Sequence, residues 1–187
     1  MSNIRLFFPK SLSINSFDNL DKSQSHYLSK VMRIKEKEVF SLFNSSGEWE
    51  AKILNISKSL VEFKITKQLR QKQNFKELWL AFSPIKSNYF NFMIQKATEL
   101  GITKFLPIIF ERTIVRKINK ERLKKLVIEA AEQSNRIQVP TIEDTQNLKD
   151  FLDNCDVDLI FTDLNSNNNK VDLKKLTSKP TCIVVGP

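Results

Sequence analysis

Thr181-Cys182-Ile183-Val184-Val185-Gly186-Pro187 reads as a buried strand running into a Gly-Pro turn. A short apolar run rich in β-branched residues and bounded by turn residues suits a strand covered on both faces. The covering helices are legible upstream. From Glu77 the pattern alternates: a strand at 78–83, then a helix at 88–100 with Phe90, Ile94, Ala97 and Leu100 at helical spacing. Gly101 stops that helix before a strand at 105–110. A helix at 119–135 follows, capped by Asn119, with Leu123, Leu126, Val127, Ala130 and Ala131 as its buried stripe. A short helix at 148–154 and a strand at 157–162 lead through the polar Asn165-Ser166-Asn167-Asn168-Asn169-Lys170 stretch and a helical turn near 173–176 to the strand at 182–185. Such alternation predicts an α/β domain with a largely parallel sheet. Ligands of these sheets bind beyond the carboxyl ends of the strands. That rule places Thr162, Asp163 and Leu164, with Gly186 and Pro187, at a binding site.

Residues 1–72 read differently. Strands are predicted at 4–8, 39–43, 48–56 and 60–66, the middle two joined by Asn44-Ser45-Ser46-Gly47 with glycine at the positive-φ position. Val61, Phe63 and Ile65 share one face. One helix is predicted at 22–31, capped by Asp21 with Gln24 three residues later. Several short strands with one helix suggest a small β-barrel. The polar, basic stretch at 67–76 reads as the boundary, giving domains 1–72 and 73–187.

The chain of 187 residues has a net charge of +9: +6 over residues 1–72 (13 basic, 7 acidic) and +3 over residues 73–187 (17 basic, 14 acidic). A basic excess favours polyanions, RNA or DNA ahead of an anionic membrane; on charge alone, a merely soluble basic protein fits equally well. No apolar run approaches a bilayer span, so no membrane partner is expected, and residues 1–9 lack a signal peptide's long apolar stretch. Cys155 and Cys182 stand far apart without a CxxC pattern, which argues against a structural disulfide or zinc site and makes a reducing cytoplasm the default. His26 is the only histidine, which excludes a His-His site; no metal is expected. With only Gly47, Gly101 and Gly186, neither a GxGxxG nor a GxxxxGK[ST] loop can be written. This argues strongly against a Rossmann-type cofactor site and against a P-loop NTPase.

Each polar cluster has a bland reading. Gln95–Gly101 fits an amphipathic helix with a glycine stop, and Glu129–Gln133 a solvated face beside an alanine stripe. Arg112, Arg116 and Lys117 follow a strand closely and suit either a solvated loop or phosphate contacts near the strand ends. Lys30, Arg33 and Lys35 form a basic cluster that either tracks an RNA backbone or faces water.

The combination is more specific. Ser83-Pro84-Ile85-Lys86, then Gln95-Lys96-Ala97-Thr98-Glu99-Leu100-Gly101, Glu111-Arg112-Thr113, Glu129-Ala130-Ala131-Glu132-Gln133-Ser134, Val139-Pro140 and Val185-Gly186-Pro187 resemble, in order and spacing, the bacterial 16S ribosomal RNA uridine N3-methyltransferases (the RsmE family) of the SPOUT class. His26-Tyr27-Leu28, Val31-Met32-Arg33 and the strand from Val39 to Phe43 resemble that family's N-terminal segment. The resemblance implies an α+β chain of two domains, a PUA-like RNA-binding β-barrel and an α/β SPOUT domain of the trefoil-knot type. It implies S-adenosylmethionine as cofactor, 16S rRNA of the small ribosomal subunit as substrate and a homodimer. In the family the turn continues as Gly-Pro-Glu-Gly-Gly, so the SPOUT domain is expected to be incomplete here, with weak cofactor binding and poor solubility. Asn135 stands where the family has glycine, and Tyr89 where it often has a basic residue.

Methyl transfer to uracil N3 must dispose of the N3 proton or stabilise the anion. Arg112 is the catalytic candidate, set against the carbonyl oxygens; phosphate binding is its other reading. No residue is a convincing base, and Glu99 reads as structural. The cofactor-binding candidates are Thr162, Asp163, Leu164, Gly186 and Pro187; the RNA-binding candidates are His26, Lys30, Arg33, Lys35, Lys86, Arg112 and Arg116. The competing hypothesis is an RNA-binding protein without a cofactor site.

Overall fold

The structure, a computed structural model, describes residues 4–57, 60–72, 76–86, 88–163 and 176–186. It divides into two compact units, Met1–Gln73 and Asn74–Pro187. The helical turn expected near 173–176 falls almost wholly outside the described residues.

The first unit is a five-stranded sheet in the order β1-β3-β4-β5-β2, from β1 (Arg5–Phe7), β2 (Phe17–Asn19), β3 (Val39–Asn44), β4 (Gly47–Ser57) and β5 (Leu60–Gln71). β1 runs parallel to β3, and the other pairs are antiparallel. Three register shifts along the β4–β5 pair curl that hairpin. Leu6, Leu42, Ala51, Ile53, Val61, Phe63 and Ile65 then meet in one core. The turn before β4 needs its glycine: Gly47 has φ 134°, and a Cβ there would lie 2.3 Å from the Arg70 carbonyl oxygen. β5 extends to Gln71, so much of the polar stretch read as a linker is strand. Its polarity reflects pairing with β4, in which Arg70 lies opposite Glu48.

Asp21 caps α1 (Lys22–His26), accepting the Gln24 N–H at 2.8 Å. The expected helix does not continue as an α-helix. Residues Tyr27–Val31 form a π-helical turn, closed by the Met32 N–H donating to the Tyr27 carbonyl at 2.9 Å. The Ser29 hydroxyl donates back to the Ser25 carbonyl at 2.7 Å, the kind of back-bonding that loosens a helix. Arg33 follows in a left-handed conformation, φ 53°.

The second unit is a parallel sheet in the order β10-β11-β6-β7-β8, from β6 (Leu78–Phe82), β7 (Lys104–Ile109), β8 (Thr141–Ile142), β10 (Asp158–Phe161) and β11 (Thr181–Val185). The short β9 (Gln146–Asn147) also pairs with β7. β8 and β9 were not legible in the sequence, being two residues each. Side-chain alternation sends Leu80, Phe82 and Phe105 to one face, where they meet Ile94 of α2 (Asn88–Leu100) and Leu123 and Val127 of α3 (Lys120–Gln133). Ala81, Leu106, Ile108, Cys182 and Val184 go to the other face, against Phe151 of α4 (Leu148–Asn154). Leu100 departs from the expected apolar stripe and is 80% exposed. It is the last residue of α2, rotated off the Ile94–Ala97–Thr98 face, and Thr98 is buried in its place. Gly101 has φ 105°, and a Cβ there would collide with the Arg136 guanidinium at 2.6 Å.

Among the described residues, the most buried charge lies in the first unit. Glu48 is held from both sides, by Arg5 Nε at 3.0 Å and Arg70 Nε at 2.7 Å. Burial pushes its carboxyl up, but the two guanidiniums outweigh that and hold it below the usual 4.5. The stabilisation is therefore complete above the unfolded carboxylate value and is lost as pH falls through the lowered folded value. Glu48→Gln should destabilise this unit by about 3 kcal/mol at pH 7. Denaturant unfolding at descending pH should show the gap to wild type shrinking below pH of about 4.5; a gap that stays constant would rule this pairing out as the cause.

Candidate functional site

The chain reaches β6 first and adds β7 and β8 on one side. It then crosses to β10 and returns in β11, which lies between β10 and β6. β11 therefore lies beside β6, and the carboxyl ends of the two strands share the edge at which open parallel sheets bind ligands.

Backbone bonds pin the loops there. The Ser83 N–H donates to the Val185 carbonyl, and the Thr162 N–H to the Val184 carbonyl, both at 3.1 Å. The Thr162 hydroxyl donates to the same Val184 oxygen at 3.1 Å. Gly186 lies past β11 against Phe110; a Cβ added there would be 3.6 Å from the ring, an ordinary contact. Beyond Phe110 the chain turns through Glu111 and Arg112 to Thr113, whose N–H donates back to the Phe110 carbonyl at 3.1 Å. Thr113 is buried, and its hydroxyl accepts the Phe110 N–H at 2.8 Å and bonds the Ser83 hydroxyl at 2.9 Å. The Arg112 turn is thus tied to the end of β6.

The structure gathers Thr162, Asp163 and Gly186 at the ends of β10 and β11, with Phe110 beside Gly186. Leu164 and Pro187 lie outside the described residues. Arg112 and Arg116 are exposed in the loop after β7, and Lys86 is exposed after β6. His26, Lys30, Arg33 and Lys35 belong to the other unit, exposed along α1, the π-helical turn and the segment after it. Tyr27, Val31 and Met32 are exposed among them. Sequence reasoning missed the Ser83–Thr113 pair and the packing of Phe110 on Gly186, because neither spacing is local.

Glu99 is engaged elsewhere. It bonds Lys96 at 2.8 Å and Gln95 at 3.1 Å, and the Lys96 bond leads in holding its carboxyl below the ordinary value. Its backbone carbonyl accepts Arg136 Nε at 2.9 Å. It sits at the carboxyl end of α2, one short loop before β7 begins, and so at the opposite edge of the sheet from the strand-end loops. Among the described residues, no group of three His, Cys, Asp or Glu could hold a metal ion. No described helix is long and apolar enough to cross a membrane.

A family model described as an RNA methyltransferase domain matches residues 71–187, and an RNA methyltransferase PUA domain matches residues 20–66. The chain is 32% identical over 188 residues to the ribosomal RNA small subunit methyltransferase E of Rickettsia conorii, covering 98% of this chain and 77% of that protein. It is 29% identical to the protein of the same name from Buchnera aphidicola, covering 89% of this chain and 65% of that one. The crystal structure of the Neisseria gonorrhoeae ribosomal RNA small subunit methyltransferase E bound to S-adenosyl methionine superposes with a TM-score of 0.81 at 27% identity, over 98% of this chain and 78% of that one. A Legionella pneumophila putative methyltransferase in complex with the same cofactor shares the fold, with a TM-score of 0.82 at 24% identity. The N-terminal unit is thus PUA-like, and the C-terminal unit has the α/β architecture of these methyltransferases.

The Ser83–Thr113 bond can be tested directly. Thr113→Val leaves the Phe110 N–H and the Ser83 hydroxyl without their partner and should cost about 2 kcal/mol. Thr113→Ser should recover most of it in denaturant unfolding. Equal stability of the valine variant and wild type would mean the bond contributes nothing.

Proposed function

The chain belongs to the ribosomal RNA small subunit methyltransferase E family, and from that premise we propose that it transfers a methyl group from S-adenosylmethionine to N3 of a uridine in 16S rRNA. The observation that carries this reading is the likeness, over 98% of the chain, to a family member crystallised with that cofactor. The adjacent carboxyl ends of β6 and β11 support it, because strand ends of a parallel sheet offer a ligand site without a glycine-rich loop.

The residues present suit the cofactor. Local packing does not demand glycine at 186, since a Cβ would meet Phe110 at ordinary distance. The missing side chain instead leaves room beside β11. Asp163 brings a carboxylate suited to a cationic or hydroxyl-bearing ligand, and Phe110 an apolar surface. Thr162, Asp163 and Gly186 would hold the cofactor, which when bound supplies a methyl group on a sulfonium. The chain's own task is to orient the uracil, exclude water and offset the charge left as N3 loses its proton. Arg112 is assigned that last role, from a turn fixed by Thr113. Residues 1–72, with His26, Lys30, Arg33 and Lys35, bind the RNA; residues 73–187 carry the chemistry; two copies act as a homodimer.

The primary test is incubation with unmethylated small subunits and radiolabelled cofactor, followed by nucleoside analysis. N3-methyluridine is the expected product; RNA binding without incorporation would return the non-catalytic reading. Gly186→Ala should leave the unfolding midpoint unchanged while weakening cofactor binding about tenfold, as a methyl intrudes on ligand space. A variant that binds as wild type does would remove Gly186 from the pocket. Arg112→Gln should lower kcat about 100-fold with cofactor affinity intact; a loss confined to RNA affinity would make Arg112 a phosphate contact instead.

A further inference from the structure

A cavity of about 320 Å³ opens between the first turns of α2 and α3, apart from the Gly186 loop. Sites for small ligands begin at about this size. Its charged lining is Lys86, Lys117 and Arg122, with no Asp or Glu among the lining residues. Lys86 leaves β6, Lys117 stands in the loop after β7, and Arg122 is in the first turn of α3. None of the three makes a side-chain hydrogen bond or ion pair among the described residues. Elsewhere on the same helices lysines do find acids, Lys96 with Glu99 and Lys124 with Glu121. The wall is apolar: Phe90, Ile118 and Leu123. Phe90 is also held in place, 5.7 Å from the buried Phe82 ring. Asn91 lines the cavity with an amide that has no partner among the described residues.

Three converging cations without a counter-charge repel one another, and an anion relieves that repulsion. An apolar wall with an aromatic ring, beside a free amide, suits a flat ring with hydrogen-bonding edges. One ligand class combines both. We propose that this cavity is a nucleotide subsite for the RNA substrate, with the phosphate on Lys86, Lys117 and Arg122 and the base against Phe90, Ile118 and Leu123. The subsite rests on the RNA-methylating reading above. It stands on loops that leave the carboxyl ends of β6 and β7, the edge of the sheet where that reading places the chemistry.

The test uses the full chain and three probes: uridine 5′-monophosphate, uridine and S-adenosylmethionine. Wild type should bind the monophosphate at least tenfold more tightly than uridine. Lys86→Gln, Lys117→Gln and Arg122→Gln together should abolish that preference and leave cofactor affinity unchanged. In binding of a single-stranded RNA, the triple variant should lower the salt slope by roughly 0.7 for each phosphate that it no longer neutralises. All three residues are exposed or at the rim, so matching unfolding curves will establish that the variant folds. A triple variant with the wild-type preference and salt slope would overturn the proposal. So would loss of cofactor affinity in place of monophosphate affinity, which would give the cavity to the cofactor. Methylation by a wild type indifferent to the monophosphate would retire the subsite alone. A wild type that shows the preference but no methylation would retire the enzymatic reading and leave an RNA-binding cavity.

Discussion

The second unit depends on seating β11 between β6 and β10. Each residue from Thr181 to Val184 has a parallel partner on both sides, as Cys182 has in Trp79 and Leu159. Cys182 is fully buried at the centre of these pairings, and burial pushes its thiol up to about 11. The strand follows β10 in sequence yet is seated between β10 and β6, so its pairing with β6 is long-range. Its far end also sets the site. The carbonyls of Val184 and Val185 hold the roots of the loops after β10 and β6. The loops are thus located by backbone, which any sequence supplies. Fixing these loops therefore requires no glycine-rich sequence, in a chain with three glycines.

Much of this architecture was legible because burial leaves a periodic trace. The 3.6-residue stripe of Leu123, Val127, Ala130 and Ala131 fixed α3, and the Asn119 cap was found where expected, accepting the Arg122 N–H at 3.0 Å. Val61, Phe63 and Ile65 alternate and are all fully buried. Local rules failed where a distant partner decides. Lys67–Gln71 looks like a linker until β4 pairs with it and Glu48 takes up Arg70. The helix beyond His26 shows no breaker, yet Ser25 is drawn inward to accept the Val61 N–H, and the next turn widens. Leu100 matches helical spacing from Ala97 but not the face set by Ile94 and Thr98.

For the candidate site, the sequence pointed to positions and not to contacts. The strand-end rule chose Thr162, Asp163 and Gly186 without knowledge of their surroundings. It could not find Phe110 as the neighbour of Gly186, nor the Thr113 hydroxyl that braces the Arg112 turn, because those contacts span 76 and 30 residues of sequence. Asn135 shows the same limit from the other side. It occupies a left-handed position, φ 60°, which explains both why glycine is suited there and why asparagine is tolerated.

Where the charge of +9 resides separates a binding surface from a merely solvated one. A solvated basic face surrounds its cations with acids at short range, as the Lys10–Asp18, Lys67–Glu50 and Lys120–Asp144 pairs do here. Such exposed pairs contribute little stability, but they do neutralise the surface. Lys30, Arg33 and Lys35 in one unit, and Lys86, Arg112, Arg116, Lys117 and Arg122 in the other, have no such ion pair among the described residues. Most of them stand on loops, and Arg33 does so in a backbone conformation that costs about 1 kcal/mol. Strain and uncompensated charge both oppose folding. A polyanion bound at these positions, as the proposed function requires, would offset both.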